Sequence, residues 1–265
     1  RLADAGVYIA SEASFYRVLR AHGQAQRRGR ARAPRKVSRP QALRATVPNQ
    51  VWSWDITYLP STVRGQFLRL YLVLDVYSRA IVGWEVHEQE SASHAATLIT
   101  KACLRHQVSR QQLVLHSDNG SPMKGATMLA TLQRLGVMPS FSRPSVSDDN
   151  PYSEALFRTL KYNPSYPLQP FADVLAARQW VQEFVRWYNE EHRHSGIRFV
   201  TPAQRHACCD AQLLARRADV YEAAKRAKPE RWQGRAVRNW APITEVWLNP
   251  DRPQGQDNEI WPLAA

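Results

Sequence analysis

The sequence predicts an α/β fold: a mixed five-stranded sheet with helices on both faces, preceded by a basic helix and linker and followed by a C-terminal extension. Three observations predict it. Strand-like runs come first, at 51–59, 67–78 and 80–88. From residue 91 onward, helix-like and strand-like stretches alternate. The fourth strand-like run, LVLHSD at 113–118, is apolar almost throughout, as expected of a strand with both faces covered.

Residues 1–23 read as a helix. Ser11 or Ser14 caps it, Phe15, Val18 and Leu19 recur at helical spacing, and Gly23 ends it. The segment is equally the second half of a helix-turn-helix or a generic amphipathic helix. Residues 24–44 carry eight Arg or Lys and no acid, with two prolines and a glycine. That composition is a basic linker, and Arg27, Arg28, Arg30, Arg32, Arg35 and Lys36 are candidates to track DNA phosphates. VWSWDITYL is the first strand of the body proper, 45–200. The second and third strands meet at Ser78-Arg79, a connection short enough for a hairpin. The helix at 91–106 is capped by Ser91 or Ser93, and the helix at 126–136 stops at Gly136. MPSFS (138–142) is a short fifth strand. The turn-rich RPSVSDDNP leads into a helix starting near Tyr152. The last long helix, 172–192, places Trp180, Phe184, Trp187 and Tyr188 in one apolar stripe, read as core. The extension, 201–265, has a basic helical stretch to 228 and then a Trp-rich segment with short strands.

The 265 residues carry a net charge of +13, which favours a polyanionic partner such as nucleic acid. Three cysteines without C-x-x-C spacing give neither a disulfide framework nor a zinc finger and fit a reducing compartment. No leader and no run long enough to span a membrane is visible. Arg1 in the place of an initiating Met is read as part of a longer product.

The acids are the informative residues. Asp55 interrupts an aromatic and β-branched strand, where an ionised carboxylate is costly unless paired. Asp118 ends the fourth strand, and Glu154 opens the helix after the turn-rich segment. Sixty-two residues lie between the first two and thirty-five between the second two. Carboxylates in and at the ends of neighbouring strands can converge with one from a helix, and three together require a cation. Hard oxygen donors select Mg²⁺ or Mn²⁺ over zinc, and a pair of such ions serves phosphodiester chemistry. Each acid also has an ordinary reading: turn chemistry for Asp118, dipole stabilisation for Glu154. Asp75 is a rival buried acid. Asp149 and Asn150 read as turn residues that could cap the following helix. His116 is not read as a ligand, and His192 and His194 read equally as phosphate contacts or as a turn.

WSWDITYL, YLVLDVYSRAIVGWEV, LVLHSDNGSPM, SRPSVSDDNPYSEALFRTLK and WYNEEHRHSGIRFVTPAQRH together resemble the catalytic domain of bacterial insertion-sequence transposases related to retroviral integrases. This is the DDE class, with a ribonuclease H-like fold. The resemblance covers about 45–210 and includes the thirty-five-residue gap before Glu154 and Lys161 seven residues beyond it. It implies that the catalytic, metal-binding acids are Asp55, Asp118 and Glu154, holding two Mg²⁺ or Mn²⁺ ions. Arg158 and Lys161 share a helix face with Glu154 and would reach DNA. Asn119 and Asn150 would orient the ligands from behind. The implied activity is cleavage at transposon ends and strand transfer into target DNA. The implied setting is a homo-oligomer on DNA in the bacterial cytoplasm, associated with the nucleoid. Two departures stand out: no His/Cys zinc cluster precedes the core, and a complete end-recognition domain is missing, which an upstream helix-turn-helix protein or domain of the same element would supply. A nuclease that only hydrolyses, or a catalytically silent DNA-binding remnant, are the alternatives.

Overall fold

A computed structural model describes residues 6–22, 24, 41–143 and 149–250. The chain forms two compact units, Arg1–Ser38 and Arg39–Ala265. The described part of the first holds one helix, α1 (Glu12–Ala21). Ser11 caps it by accepting from the Ser14 amide, and the helix closes at His22, one residue before the expected stop. None of its residues is buried. The linker candidates Arg27, Arg28, Arg30, Arg32, Arg35 and Lys36 lie outside the described residues.

The second unit is built on a five-stranded sheet. Its strands are β2 (Val51–Pro60), β3 (Phe67–Asp75), β4 (Ile81–His87), β5 (Val114–Ser117) and β6 (Met138–Phe141). Their order is β4-β3-β2-β5-β6. The β2–β3 and β3–β4 pairs are antiparallel, whereas β2–β5 and β5–β6 are parallel. This is the mixed sheet of the ribonuclease H-like fold. The β3–β4 connection is a hairpin as expected, but β3 ends earlier, at Asp75. Arg79 takes a left-handed conformation in the turn, with φ of 67°.

The alternation of β3 divides the core. Tyr71 and Val73 face one way, with Trp52 and Trp54 of β2, and pack on α2 (Ala92–Arg105) and α4 (Ala126–Leu135). Leu70, Leu72 and Leu74 face the other way, onto α5 (Pro151–Lys161) and α6 (Val174–Glu190). The α6 stripe Trp180, Phe184, Trp187 and Tyr188 lies in this second layer, as the sequence predicts. Asp173 caps α6 by accepting from the Ala176 amide. A short helix not expected from sequence, α3 (Ser121–Lys124), follows β5.

Residues 201–250 pack on the same unit. A capping box between Thr201 and Gln204 starts α7 (Pro202–His206), and α8 (Asp210–Ala227) follows. Arg205 is fully buried: it donates to the carbonyls of Tyr77 and Ile243, pairs with Asp210 at 2.9 Å and lies 4.0 Å from the Tyr77 ring centroid. Near the far end of the described chain, β7 (Val246–Leu248) pairs antiparallel with β1 (Leu43–Ala45). Leu43 and Arg44, assigned to the linker on composition, are therefore strand residues, because long-range pairing supplies partners their local sequence does not announce.

Candidate active site

Parity along β2 decides where Asp55 points. Trp52 and Trp54 belong to the α2/α4 layer, so Ser53 and Asp55 face α5. Ser53 confirms the face: its hydroxyl donates to Asn150 Oδ1 at 2.5 Å and shares a hydrogen bond with Ser153 at 2.6 Å. On β5, Leu115 joins the α2/α4 layer, and His116 faces the α5 side, donating from Nε2 to the Asp149 carbonyl at 2.9 Å. Asp118, two residues on, follows the end of β5. Glu154 lies in the first turn of α5.

The electrostatics reflect this convergence. Burial, the largest influence, pushes the Asp55 carboxyl up to about 7; a hydrogen bond from the Ile56 amide works against it, and the charges of Asp118, Glu154 and Glu90 add to the rise. The three predicted acids thus share one neighbourhood. Among the described residues, no three His, Cys, Asp or Glu side chains are gathered closely enough to hold an ion as they stand. Glu154 is exposed, and Asp55 and Asp118 are half-buried. A cleft of about 400 Å³ lies elsewhere, lined by Glu85, His87, His94, Thr97, Lys101 and Arg178, and contains none of the three.

The neighbours of the acids have clear tasks. Ser142 donates to Asp118 Oδ1 at 2.9 Å, and Asn119 donates from Nδ2 to the Ser142 carbonyl, so the residues after β5 and β6 hold Asp118 in place. Asn150 stands at the N-cap position of α5 but makes no capping bond with its side chain. Instead it is buried against β2, accepting from Ser53 and donating to the Trp54 carbonyl at 3.4 Å. The expectation of capping is corrected accordingly. Asp149 binds Arg143 through its amide and guanidinium. Burial would raise the Asp149 carboxyl, but those bonds outweigh it and hold it below the usual range.

Asp75 is placed away from this chemistry. Its fully buried carboxylate accepts from the Ser78 amide and hydroxyl and from the Asn49 amide, closing the β3–β4 turn. His194 accepts from the Gly196 amide, and burial, the main cause, lowers it to about 3; His192 stacks on Tyr188. His194 thus serves its own turn, while His192 packs against the end of α6. Glu154, Arg158 and Lys161 are all exposed on α5, whereas Ser153, Leu156 and Leu160 are buried, so the first three share its solvent face. Sequence reasoning missed Ser53, Ser142 and Glu90. Glu90, which accepts from the Tyr58 hydroxyl at 2.7 Å, reaches the site from the loop after β4. Only Ser53, a small polar residue two positions before Asp55 in an aromatic strand, carried a signal.

Two family models, both described as integrase core domain, match residues 45–147 and 135–202 and together take in more than half of the chain. The chain belongs to the integrase core family. This integrase core is 32% identical over 174 residues to the transposase for insertion sequence element IS904 of Lactococcus lactis subsp. lactis, covering 63% of this chain and 66% of that one. It is also 32% identical over 165 residues to the transposase InsF for insertion sequence IS3A of Escherichia coli, covering 62% of this chain and 56% of the relative. A solved catalytic core domain of BIV integrase superposes over 60% of this chain and 94% of its own, with a TM-score of 0.44 and 20% identity.

Proposed function

We propose that this integrase core is a transposase that cleaves DNA at transposon ends and transfers the freed strand into target DNA. The observation that carries the reading is the convergence on Asp55: the charges of Asp118 and Glu154, delivered by β5 and α5, reach a half-buried carboxylate on the middle strand. Such an arrangement is unfavourable for a bare fold and useful to one that takes up a divalent cation.

The donor set fits Mg²⁺ or Mn²⁺, since all three groups are carboxylates. Asp55, Asp118 and Glu154 would hold two such ions. When bound, the ions would activate an attacking oxygen, first of water and then of the DNA 3′-hydroxyl, and stabilise the leaving oxygen. The protein's own share is positioning. β2 fixes Asp55, Ser142 orients Asp118, and the Ser53–Asn150–Ser153 contacts dock the helix that carries Glu154. Arg158 and Lys161, on the solvent face of α5, would hold the phosphates of the end being cut. Joining two ends calls for at least two copies of the chain on DNA, and an upstream helix-turn-helix of the same element would select the ends.

The test uses a labelled transposon-end duplex with Mg²⁺. Asp118→Asn and Glu154→Gln proteins should bind it with near-parental affinity yet neither nick nor join it. Cleavage retained by either variant rejects the assignment; nicking by the parent without joined products reduces it to a nuclease.

A further inference from the structure

Strand register sets a row of polar side chains directly behind the acids. Ser53 of β2 is paired with His116 of β5, and His116 with Ser140 of β6. Two residues further along each chain, and so on the same face, come Asp55, Asp118 and Ser142. Ser53 and His116 are fully buried, and both bond to the start of α5: Ser53 to the side chains of Asn150 and Ser153, His116 to the Asp149 carbonyl.

His116 uses both ring nitrogens. Nδ1 lies 3.0 Å from the Ser140 hydroxyl. Nε2 lies 2.9 Å from the Asp149 carbonyl and 3.3 Å from Ser142 Oγ, whose hydroxyl donates to Asp118 Oδ1 at 2.9 Å. A carbonyl only accepts, so Nε2 carries the proton and Nδ1 accepts from Ser140. The Ser142 proton is committed to Asp118, which leaves its oxygen to accept from Nε2–H. The hydrogen bonds Ser140–His116–Ser142–Asp118 therefore all run one way, toward the carboxylate, and each strengthens the next. Burial, the largest influence on the imidazole, lowers it, in keeping with a neutral ring. The same ring thus touches both halves of the acid cluster: Asp118 through Ser142, and the helix carrying Glu154 through Asp149. Asn249 also donates to the Asp149 carbonyl, at 3.0 Å, so that backbone stays tethered without His116.

We infer that His116 is a positioning residue, setting the separation between Asp118 and Glu154 and with it the fit of their carboxylates to a divalent cation. The inference rests on the metal-binding role proposed above for those acids. His116 is not itself a ligand: a neutral ring whose Nε2 is protonated and whose Nδ1 accepts from Ser140 has no lone pair left to give. It acts from behind the carboxylates, as residues that orient metal ligands do.

The experiment titrates Mn²⁺ into the full chain, following the free ion by electron paramagnetic resonance, with thermal melts of the same proteins in chelator and nicking of a transposon-end duplex scored in parallel. His116→Asn keeps a group near Ser140 but falls short of Asp149 and Ser142. It should weaken Mn²⁺ binding about 10-fold and lower kcat, with KM for the duplex unchanged. His116→Gln, whose amide N–H takes the place of Nε2–H, should recover most of the Mn²⁺ affinity, and Ser142→Ala should reproduce the loss. Parental Mn²⁺ affinity in His116→Asn overturns the role, and equal losses in the Asn and Gln variants reduce His116 to packing. Should His116→Asn fail to melt cooperatively, Ser140→Ala takes its place: it removes only the Nδ1 partner and should give a smaller loss in the same direction, and no loss overturns the role. A parent that binds Mn²⁺ but never nicks removes the transposase and leaves the role of His116 standing. A parent that binds no Mn²⁺ removes the metal reading and this role with it.

Discussion

Asp55 illustrates how a single side chain can sit against the preference of its fold. Its carboxyl is raised to about 7, so its protonated form is the one the folded chain favours. The stability this contributes is fully present below the usual aspartate range near 4 and is lost as pH rises through about 7, an upper bound of about 4 kcal/mol. Asp55→Asn should therefore melt higher than the parent at pH 8 in chelator, with the gap closing toward pH 4, and Mg²⁺ should raise the melting temperature of the parent alone. Equal gaps at both pH values would place the Asp55 titration in the ordinary range. The misfit of Asp55 was visible in sequence because a carboxylate amid Trp, Ile and Tyr has no local partner. Asn150 was harder. Local preference suggests a cap, whereas its real partner, Ser53, lies 97 residues away. Asp75 was ambiguous for the opposite reason: a buried strand-end acid looks the same whether it serves chemistry or, through Ser78 and Asn49, a turn.

At the scale of elements, α5 is the part whose placement matters most. Its N-terminus is attached to β2 by polar contacts from Asn150 and Ser153, with Leu156 and Leu160 buried behind them. Asn150→Ala leaves the Ser53 hydroxyl and the Trp54 carbonyl short of a partner and should cost about 1–3 kcal/mol in urea unfolding. It should also slow strand cleavage more than it weakens duplex binding. Helix ends were the more legible features. Gly136 closes α4 at φ of 70°, as its sequence position predicted. An added Cβ would meet the Arg110 side chain at 3.1 Å, so Gly136→Ala should lower stability by about 1 kcal/mol or more, read by thermal denaturation. The short strand β1 escaped notice because three residues give no periodicity to count, whereas β7 falls in the Trp-rich segment where short strands were expected.

The whole second unit depends on how the extension is fastened to the sheet. Arg205 and Asp210 form a buried pair against Tyr77, and Ser78 lies 2.9 Å from His206 Nδ1. Arg205→Ala would strand the Asp210 carboxylate and should cost about 3–5 kcal/mol, with limited proteolysis then cutting first within 201–250. Unchanged proteolysis would mean that the extension is held by its apolar contacts alone. The mixed sheet and the two helical layers could be anticipated from alternation and apolar pattern, but the strand order could not. The docking of the extension could not, since it rests on one arginine reaching carbonyls from two distant loops.

The pairing of β1 with β7 has a consequence for biosynthesis. Leu43–Ala45 leaves the ribosome well before its partner, Val246–Leu248, is made. Until synthesis has passed residue 248, the nascent chain therefore presents β1 as an unzipped edge, and that seam cannot close.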